Sequence, residues 1–599
     1  MKKTKYTWNL SSLYKSDTDP KIERDMKLAQ EANYRFINKW KKRNDYLKNP
    51  KILRQALDEL NELWTTTGIT GDFGYYFGLR STQEENNPKL KGILNKINET
   101  ATKIDNDGQF FELKLAKVSP TIQKKFLKSK DLQPYHYWLK KLFANAKYLL
   151  SEPEEKILNL KSMPAHGQWI DMTSTLLAKQ SRIILDENGK KVKKPLAEII
   201  NLSASSKKKV RDQAFSAMLE INNRYSEVAE AEINAILSNK KINDELRGFT
   251  RPDSSRHLAD DVETKVVDAM LQAVQENFTV ARQYHQLKAK LSGKKQLDYH
   301  ERRVPYGKIN KTYNWQESVT LVDQVLYRLD PDFSKIFKQF IDNGQIDVYP
   351  YQNKSGGAMC THNLKSQPTY ILLNHGNRLQ DVLTLAHEVG HGINNELIRQ
   401  KQNSFYFNTP LSTAEVASTF IEDFVLEELE QEADENLRLA LMVNKLDDDI
   451  SVIFRQVAAY RFEQELHLKF KQQGYLSKEA IGKIFRKNMN TYLGSVINQP
   501  PGTENFWVYW SHFRNFFYVY SYASGLLISK SLQASVRQNP DFINKIKDFL
   551  SAGSSQSPKE IFQKLGVDIS QPAFWYKGIK ETKTLLKETS TLAKKLGKI

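Results

Sequence analysis

Residues 387 to 391 combine side chains that can bind a metal ion with one that can move a proton. His387, Glu388 and His391 form the pattern HExxH. Residues four apart lie above one another on a helix, so both imidazoles can reach one zinc ion. Glu388, beside the first histidine, would then face the coordination position that is left open for water. The pattern predicts a zinc centre that hydrolyses peptide bonds, with Glu388 as general base.

The segment before the motif predicts the helix that the motif needs. Residues 381–386, Asp-Val-Leu-Thr-Leu-Ala, place apolar side chains at helical spacing and lead directly into His387. A buried histidine pair satisfied by hydrogen bonds is the structural alternative, and it would produce the same local pattern. The helical context favours the metal site.

Catalytic zinc takes three protein ligands and leaves one position for water, so a third ligand must exist. In a metzincin this ligand would be a histidine at position 397, which is Leu397 here, so that class is excluded. A glutamate on a second helix must therefore supply it. Glu415 and Glu422 are seven residues apart and would lie on one face of such a helix.

Glu415 has two interpretations. We favour it as the third zinc ligand, because the nearby HExxH motif requires one; Glu422 would then orient His387 or His391 through a hydrogen bond. Ser412 and Glu415 also fit a capping box, in which the carboxylate turns back to the start of its own helix. If Glu415 is only a cap, Glu422 is the next candidate for the ligand.

Most of the chain predicts helices, because apolar residues recur at three-four spacing with few Gly or Pro breaks. Clear examples are residues 52–64, 262–287, 318–329 and 437–470. Residues 345–374 differ, since short β-rich runs there predict a small sheet just before the HExxH helix.

The N-terminal third predicts a helical unit that ends in a β-hairpin. Apolar residues on either side of Asn188-Gly189 indicate two strands joined by a tight turn, within residues 181–195. Helical patterns resume after residue 201. We therefore expect an N-terminal helical domain over residues 1–200 and a catalytic domain over residues 201–599.

The composition indicates an ordinary globular protein. Of its 599 residues, 27% are charged and 40% are hydrophobic. Cys360 is the single cysteine, so no internal disulfide can form and a reducing compartment is expected. Residues 1–8 are basic but lack the apolar segment of a secretory signal, and no apolar run has transmembrane length. We expect a cytoplasmic protein that does not bind membranes.

The formal charge of +19 raises the question of a nucleic-acid partner. The basic residues form short clusters on separate predicted elements, without the aromatic stacking residues of a strand-binding surface. No phosphate-binding loop or dinucleotide fingerprint is present. We therefore expect no nucleic acid, and the alternative kept open is a basic channel that favours acidic peptides.

Beyond the single motif, the order of several blocks resembles a known family. HEVGH, a spacer and then Thr413-Ala-Glu-Val-Ala-Ser-Thr-Phe-Ile-Glu422 are similar to the oligoendopeptidase F branch of the thimet-oligopeptidase-like metallopeptidases. Further blocks lie at residues 8–13, 370–374 and 455–467. The resemblance implies a mainly α, two-lobed helical shell around a deep channel, with a small β-sheet next to the HExxH helix. It also implies one zinc ion per chain and cleavage of short unfolded peptides. We expect the protein to be a monomer or a weak homo-oligomer.

The aromatic segment Trp510–Gly525 resembles the substrate-binding helix of this family. From it, His512 and either Tyr518 or Tyr522 are expected to donate hydrogen bonds to the oxyanion that forms during hydrolysis. Tyr520 is expected to contact the substrate. Family members often have a tyrosine where this chain has Arg514.

Glycines before the motif suggest a place for the substrate backbone. We expect an edge strand over residues 356–359 that pairs with an extended peptide, with contacts from Gly356, Gly357 and Ala358. Asp381 and Glu422 are expected to orient the zinc-binding side chains through hydrogen bonds without binding the ion themselves.

Three alternatives concern the reaction. The gluzincin aminopeptidases resemble this region through a Gly-x-Met-Glu-Asn motif, but Cys360 and Thr361 stand where its glutamate and asparagine would be. Their third zinc ligand would fall at Pro410, so this class is disfavoured. Endopeptidase action is preferred. An exo-acting relative, such as a dipeptidyl carboxypeptidase, and a catalytically silent peptide-binding protein stay open.

Overall fold

The computed structural model describes residues 6–307 and 311–599. Residues 1–5 lie outside the described residues; they belong to the N-terminal segment that is not expected to be a secretory signal. The first helices run from α1 to α10 and cover Lys21–Trp40, Pro50–Thr66, Gly71–Gln83, Pro88–Gly108, Phe110–Ala116, Pro120–Lys128, His136–Asn145, Glu152–Ser162, Gln168–Ala178 and Leu196–Leu202.

The remaining α-helices, α11 to α26, contain the HExxH motif and the end of the aromatic segment, residues 520–525. They are Lys208–Arg224, Ser226–Arg247, Ser254–Ala259, Thr264–Glu276, Phe278–Leu291, Trp315–Leu329, Pro331–Asp342, Leu379–Lys401, Val416–Gln431, Glu435–Asp449, Arg455–Gln473, Lys478–Leu493, Tyr520–Gln538, Ile543–Leu550, Pro558–Lys564 and Pro572–Lys595. The fold is mainly α, as predicted.

In the described part of the chain, short strands form three small sheets. In chain order, β1 to β7 are Ser181–Leu185, Lys191–Pro195, Leu297–Asp298, Ile346–Asp347, Met359–Thr361, Tyr370–Leu372 and Ile497–Asn498. Strands β1 and β2 form the antiparallel hairpin predicted from Asn188-Gly189, and Gly189 has the positive φ of +78° that this turn requires. Strands β3 and β7 pair in parallel.

The sheet beside the HExxH helix is present and has the order β4-β6-β5. Strand β6 is parallel to β4 and antiparallel to β5, so β5 is an edge strand. We predicted this edge strand over residues 356–359, but it covers Met359–Thr361. Residues 356–358 lie in the preceding turn, where Gly357 has a φ of +79°. The predicted start was therefore wrong by three residues.

Two long helical predictions are interrupted. Residues 262–287 form two helices, α14 and α15, because Asn277 between them bonds back to the carbonyl of Ala273 and leaves helical geometry. Residues 437–470 form α20 and α21, joined by one turn of π-helix at Ile450–Phe454. Periodicity predicted the helices but not these changes within them.

The N-terminal segments pack directly onto the rest of the molecule. Trp8 Nε1 donates to the carbonyl of Ile371 at 2.7 Å, and Trp8 shares a hydrophobic cluster with Tyr370. Leu177 and Ile184 belong to the large core that also contains the HExxH helix. The division near residue 200 stays a prediction. None of the helices in the described residues is long and apolar enough to cross a membrane.

Candidate active site

The HExxH helix α18 and the next helix α19 approach each other unusually closely at Gly390. A β-carbon at this position would lie 2.6 Å from Cα of Ser418 and 2.8 Å from the carbonyl oxygen of Ala417. Only glycine avoids this overlap. The glycine inside HEVGH therefore lets the helix that carries the two histidines lie against the helix that follows Glu415.

This contact brings the three predicted ligands together. Glu415 Oε2 lies 3.3 Å from His387 Nε2 and 3.5 Å from His391 Nε2. One ligand atom from each residue lies within 4.8 Å of the others, and all three side chains are half-buried. Two imidazole nitrogens and one carboxylate oxygen are a donor set used by catalytic zinc. The residues present therefore fit a zinc ion.

Glu415 occupies the position before α19 but does not cap it. Its side chain makes no capping hydrogen bond, and within the described chain the buried hydroxyl of Ser412 has no partner. Instead the carboxylate turns toward the histidines, and Ser418 Oγ donates to its Oε2 at 3.1 Å. The geometry agrees with the ligand interpretation and not with a capping box.

Glu422 contacts His387 from the opposite side of the ring. Its Oε2 lies 2.9 Å from His387 Nδ1. A hydrogen bond there places the proton on Nδ1 and leaves the Nε2 lone pair facing the group of ligands. Burial lowers the pKa of His387, but Glu415 and Glu422 outweigh it and raise the pKa to about 10 in the metal-free protein.

Glu388 lies beside His387, His391 and Glu415 and is almost completely buried. Its residue is 7% exposed, and burial raises the pKa of its carboxyl above the ordinary value. The neighbouring His387 and His391 oppose this effect. A carboxyl group with a raised pKa next to a metal site suits proton transfer near neutral pH.

His512, Tyr518 and Tyr522 form an aromatic group. His512 Nε2 lies 3.0 Å from the Tyr522 hydroxyl, and the Tyr518 and Tyr522 rings meet edge to face with centroids 5.6 Å apart. Burial, then Tyr518 and the charge of Glu415, raise the pKa of Tyr522 to about 12. Burial and the cation of Arg455 lower the pKa of His512. The phenol is therefore a donor at neutral pH.

Helix α23 places Tyr522 next to the ligands, while His512 and Tyr518 lie in the segment before this helix. A β-carbon on Gly525 would lie 2.8 Å from Cβ of Glu415, so glycine permits direct contact between α23 and the ligand residue. Tyr522 is three residues earlier and shares that helix face. The aromatic segment 510–525 resembles a family block, but nothing in the sequence indicated that Gly525 allows α23 to contact Glu415.

The turn before α23 has an unusual backbone. Phe516 and Phe517 have φ of +31° and +57°, a region that non-glycine residues rarely adopt. The buried carboxyl of Glu463 accepts a 2.8 Å hydrogen bond from the Phe517 amide. Sequence patterns did not predict this turn.

Tyr520 and Asp381 are not part of the group. Tyr520 is only 1% exposed and its hydroxyl donates to Asp260 Oδ2 at 2.8 Å, so its side chain faces the core rather than a substrate. Asp381 accepts hydrogen bonds from the amides of Gly376 and Arg378 at 2.9 and 2.8 Å. It therefore caps the start of α18 and does not contact the histidines.

Arg514, which replaces a tyrosine common in the resembling family, has a structural role. Its guanidinium forms a buried two-bond ion pair with Glu232, at 3.0 and 2.8 Å. A lone arginine in an aromatic segment gave no indication of a partner 282 residues away. Burial raises the pKa of the Cys360 thiol, which disfavours the thiolate form that a nucleophile needs.

Comparison with known proteins covers both halves of the chain. The model of peptidase family M3 matches residues 201–581, and the Oligopeptidase F model matches residues 114–179. Oligoendopeptidase F, the plasmid form from Lactococcus lactis subsp. cremoris, is 24% identical over 586 residues, which is 94% of this chain and 93% of that protein.

Solved structures share the fold over nearly the full length. A protein from Chlamydophila abortus has a TM-score of 0.82 at 21% identity, with 98% of each chain covered. The oligoendopeptidase-F from Enterococcus faecium has a TM-score of 0.71 at 18% identity, covering 96% of this chain and 98% of its own. These two similarities establish the common fold.

Proposed function

The chain belongs to peptidase family M3 and is a metallopeptidase that acts on oligopeptides, and on that premise we propose that it is a zinc-dependent endopeptidase. The observation that carries the proposal is the convergence of His387, His391 and Glu415 on one point beside Glu388. Its proposed substrates are short, unfolded peptides, cut at internal bonds.

His387, His391 and Glu415 would hold one zinc ion per chain. Zinc in such a set supplies Lewis acidity that activates water near neutral pH and polarises the scissile carbonyl. The hydrogen bond between Glu422 and Nδ1 of His387 leaves Nε2 as the ring nitrogen that would bind the ion.

Glu388 acts as the general base and then as the general acid. Its carboxylate takes a proton from the attacking water and returns it to the leaving amine. General acid–base catalysis of this kind contributes about 10²–10⁴-fold to a rate. Burial raises the pKa of Glu388, so the carboxyl group more readily keeps the proton between the attack of water and the departure of the amine.

Tyr522 and His512 stabilise the negative charge that develops on the carbonyl oxygen. The Tyr522 hydroxyl is a protonated donor, and its 3.0 Å contact with His512 positions both side chains. Tyr518 packs against them and is the second candidate donor.

Strand β5 is proposed to pair with the extended substrate. It is the edge strand of its sheet and lies next to the HExxH helix, because the Cys360 backbone contacts Glu388. Gly356, Gly357 and Ala358, in the turn before this strand, would contact the peptide where it enters.

Several parts of the proposal concern the whole protein. We place the protein in the cytoplasm and treat it as a monomer or weak homo-oligomer with an N-terminal domain over residues 1–200 and a catalytic domain over 201–599. Short peptides are its proposed partners, and nucleic acid and membranes are not.

The test is to incubate the purified protein with an internally quenched nonapeptide and identify the fragments by mass spectrometry. Cleavage at an internal bond that stops on zinc removal and returns on zinc addition supports the proposal. Release of dipeptides from the C-terminus alone would indicate an exo-acting relative instead. Peptide binding without any cleavage in the zinc-loaded protein would indicate a silent binding protein.

A further inference from the structure

A cavity behind the aromatic group is lined by three arginines. Arg302, Arg303 and Arg455 border a space of about 420 Å³, which lies within the ~300–1,000 Å³ that is usual for ligand sites. Tyr509 also lines it. The cavity has no role in the zinc chemistry described above.

Two of these guanidinium groups have no anionic partner. Within residues 6–307 and 311–599, neither guanidinium group forms a hydrogen bond or an ion pair. That of Arg455 lies over the Trp510 ring, and Arg303 is close enough to Arg302 and Arg455 for their positive charges to repel its own. Arginine stays protonated in proteins, and a charge that is partly removed from bulk water is normally paired. Arg455 is half-buried, and the more exposed Arg303 borders the same cavity. Two positive charges without a counterion at one cavity therefore indicate an anionic ligand.

The carboxylates that border the cavity do not neutralise these arginines. Asp447 is held by Lys288, whose Nζ lies 2.6 Å from both carboxylate oxygens. Burial raises the pKa of Asp448 to about 7, so it is partly protonated at neutral pH. The cavity therefore keeps an excess of positive charge.

The backbone that carries Arg303 is firmly held. The carboxylate of buried Glu301 pairs with Arg211 at 2.7 Å and with Lys294 at 2.6 Å. Lys288 Nζ also donates to the carbonyl of Arg302 at 2.7 Å. The guanidinium group of Arg303 thus extends from a fixed position, which reduces the ordering cost of binding a ligand.

The cavity is adjacent to the residues proposed to stabilise the oxyanion. The Arg455 guanidinium lies 4.0 Å from the centre of the Trp510 ring, and Trp510 is 6.4 Å from the ring of His512. The charge of Arg455 reaches His512 strongly enough to lower the pKa of that imidazole. A group bound here would belong to a substrate residue close to the bond that is cut.

We propose that Arg303 and Arg455 bind a carboxylate of the peptide substrate, and that this contact determines which peptides are preferred. The carboxylate comes from the peptide C-terminus or from an acidic side chain. Planar guanidinium groups suit it because each can form two parallel hydrogen bonds to the two oxygens. The inference rests on the proposed peptidase function and specifies its substrate class.

The test uses four versions of one quenched nonapeptide. They combine a free or amidated C-terminus with glutamate or glutamine near the cleaved bond. In wild type, removing the carboxylate that occupies the cavity should raise KM and lower kcat/KM about tenfold or more. The modification with this effect, amidation or glutamine, identifies the source of the carboxylate.

Arg303→Gln and Arg455→Gln should abolish this discrimination. Each variant should cleave the carboxylate peptide about as slowly as wild type cleaves the neutral one, mainly through KM, and Arg303→Lys should retain part of the preference. Arg35→Gln, at an exposed position on α1, is the matched control and should behave as wild type. The neutral peptide should be cleaved within about twofold of wild type by Arg303→Gln.

Equal cleavage of all four peptides by wild type would overturn the inference, as would an equal loss on all four in Arg303→Gln. Failure of the peptidase proposal looks different, because even the neutral peptide would stay intact while zinc is bound. In that case the dissociation constants of the four fluorescent peptides still decide whether Arg303 and Arg455 select a carboxylate.

Discussion

Glu422 Oε2 lies 2.9 Å from His387 Nδ1, while the other ring nitrogen of His387 lies 3.3 Å from Glu415. The Glu422 carboxylate therefore orients the His387 imidazole, and the Glu415 carboxylate lies beside the nitrogen that is proposed to bind the metal. Because both glutamates flank the same ring, their substitutions should have distinguishable effects on metal binding.

Glu422→Ala should lower the affinity for zinc by about 10–100-fold, because the His387 ring loses the bond that fixes its orientation. Glu422→Gln should lose less, since its amide oxygen can still accept from Nδ1. Competition with a chelator measures the affinity. Glu432→Ala, at the surface end of α19 where Glu432 pairs with Lys311, is the control. Unchanged affinity in Glu422→Ala would contradict this role.

Gly390→Ala should separate α18 from α19, because the new β-carbon would overlap the backbone of Ser418 and Ala417. We expect the free energy of unfolding to fall by about 1–3 kcal/mol or more, together with weaker zinc binding.

Gly92→Ala is the matched control. This exposed glycine lies in α4 with open space around it, so the change should stabilise the helix by roughly 0.5–1 kcal/mol. Thermal unfolding and zinc content measure both, and a wild-type zinc content in Gly390→Ala would be inconsistent with the packing argument.

His512→Ala and Tyr522→Phe should each lower kcat by roughly 10²–10³-fold and leave the zinc content unchanged. Tyr520→Phe serves as the comparison, because its hydroxyl bonds to Asp260 in the core; it should affect stability more than kcat. Steady-state kinetics with metal analysis on the same samples test this. If Tyr522→Phe keeps full activity while Tyr518→Phe loses it, the oxyanion donor is Tyr518.

Glu463→Gln should remove a pH dependence of stability. Burial raises the pKa of Glu463 to about 8, so the unfolded chain releases this proton near pH 4.5 while the folded protein keeps it to about pH 8. A raised carboxyl pKa means that stability falls as pH rises through this window. The variant keeps an acceptor for the Phe517 amide but cannot ionise, so its unfolding temperature should exceed that of wild type at pH 9 and match it at pH 5.

Glu465→Gln, two residues along α21, is the control for that pH series. Burial opposes ionisation of Glu465, but Lys487 and Asn488 outweigh it and lower its pKa, so its contribution is present above the ordinary pKa and lost in acid. A parallel pH profile for Glu463→Gln and wild type would show that Glu463 is already ionised at neutral pH.

The convergence of His387, His391 and Glu415 was predictable from the sequence. His387 and His391 follow the period of one helix, the chemistry of zinc requires a third ligand, and the family resemblance pointed to Glu415 for it. Periodicity also predicted most helices and the sheet before α18. The choice between ligand and cap at Glu415 needed the fold, since it depends on how α18 meets α19.

What sequence reasoning missed depends on contacts between distant residues. Helix α23 meets Glu415 at Gly525, a contact between residues far apart in sequence, so helical spacing alone could not separate Tyr522 from Tyr520. Asp381 was expected behind the ligands but caps its own helix. Arg303 and Arg455 are far apart in sequence and meet only in the folded cavity.

The most direct test counts zinc and measures peptide cleavage in wild type, Glu388→Ala and Glu415→Ala. Glu388→Ala should keep zinc and lose about 10²–10⁴-fold in rate, because it lacks only the general base. Glu415→Ala should lose both zinc and activity. Full zinc and full activity in Glu415→Ala would contradict the assignment of the third ligand, and the centre proposed here would be wrong.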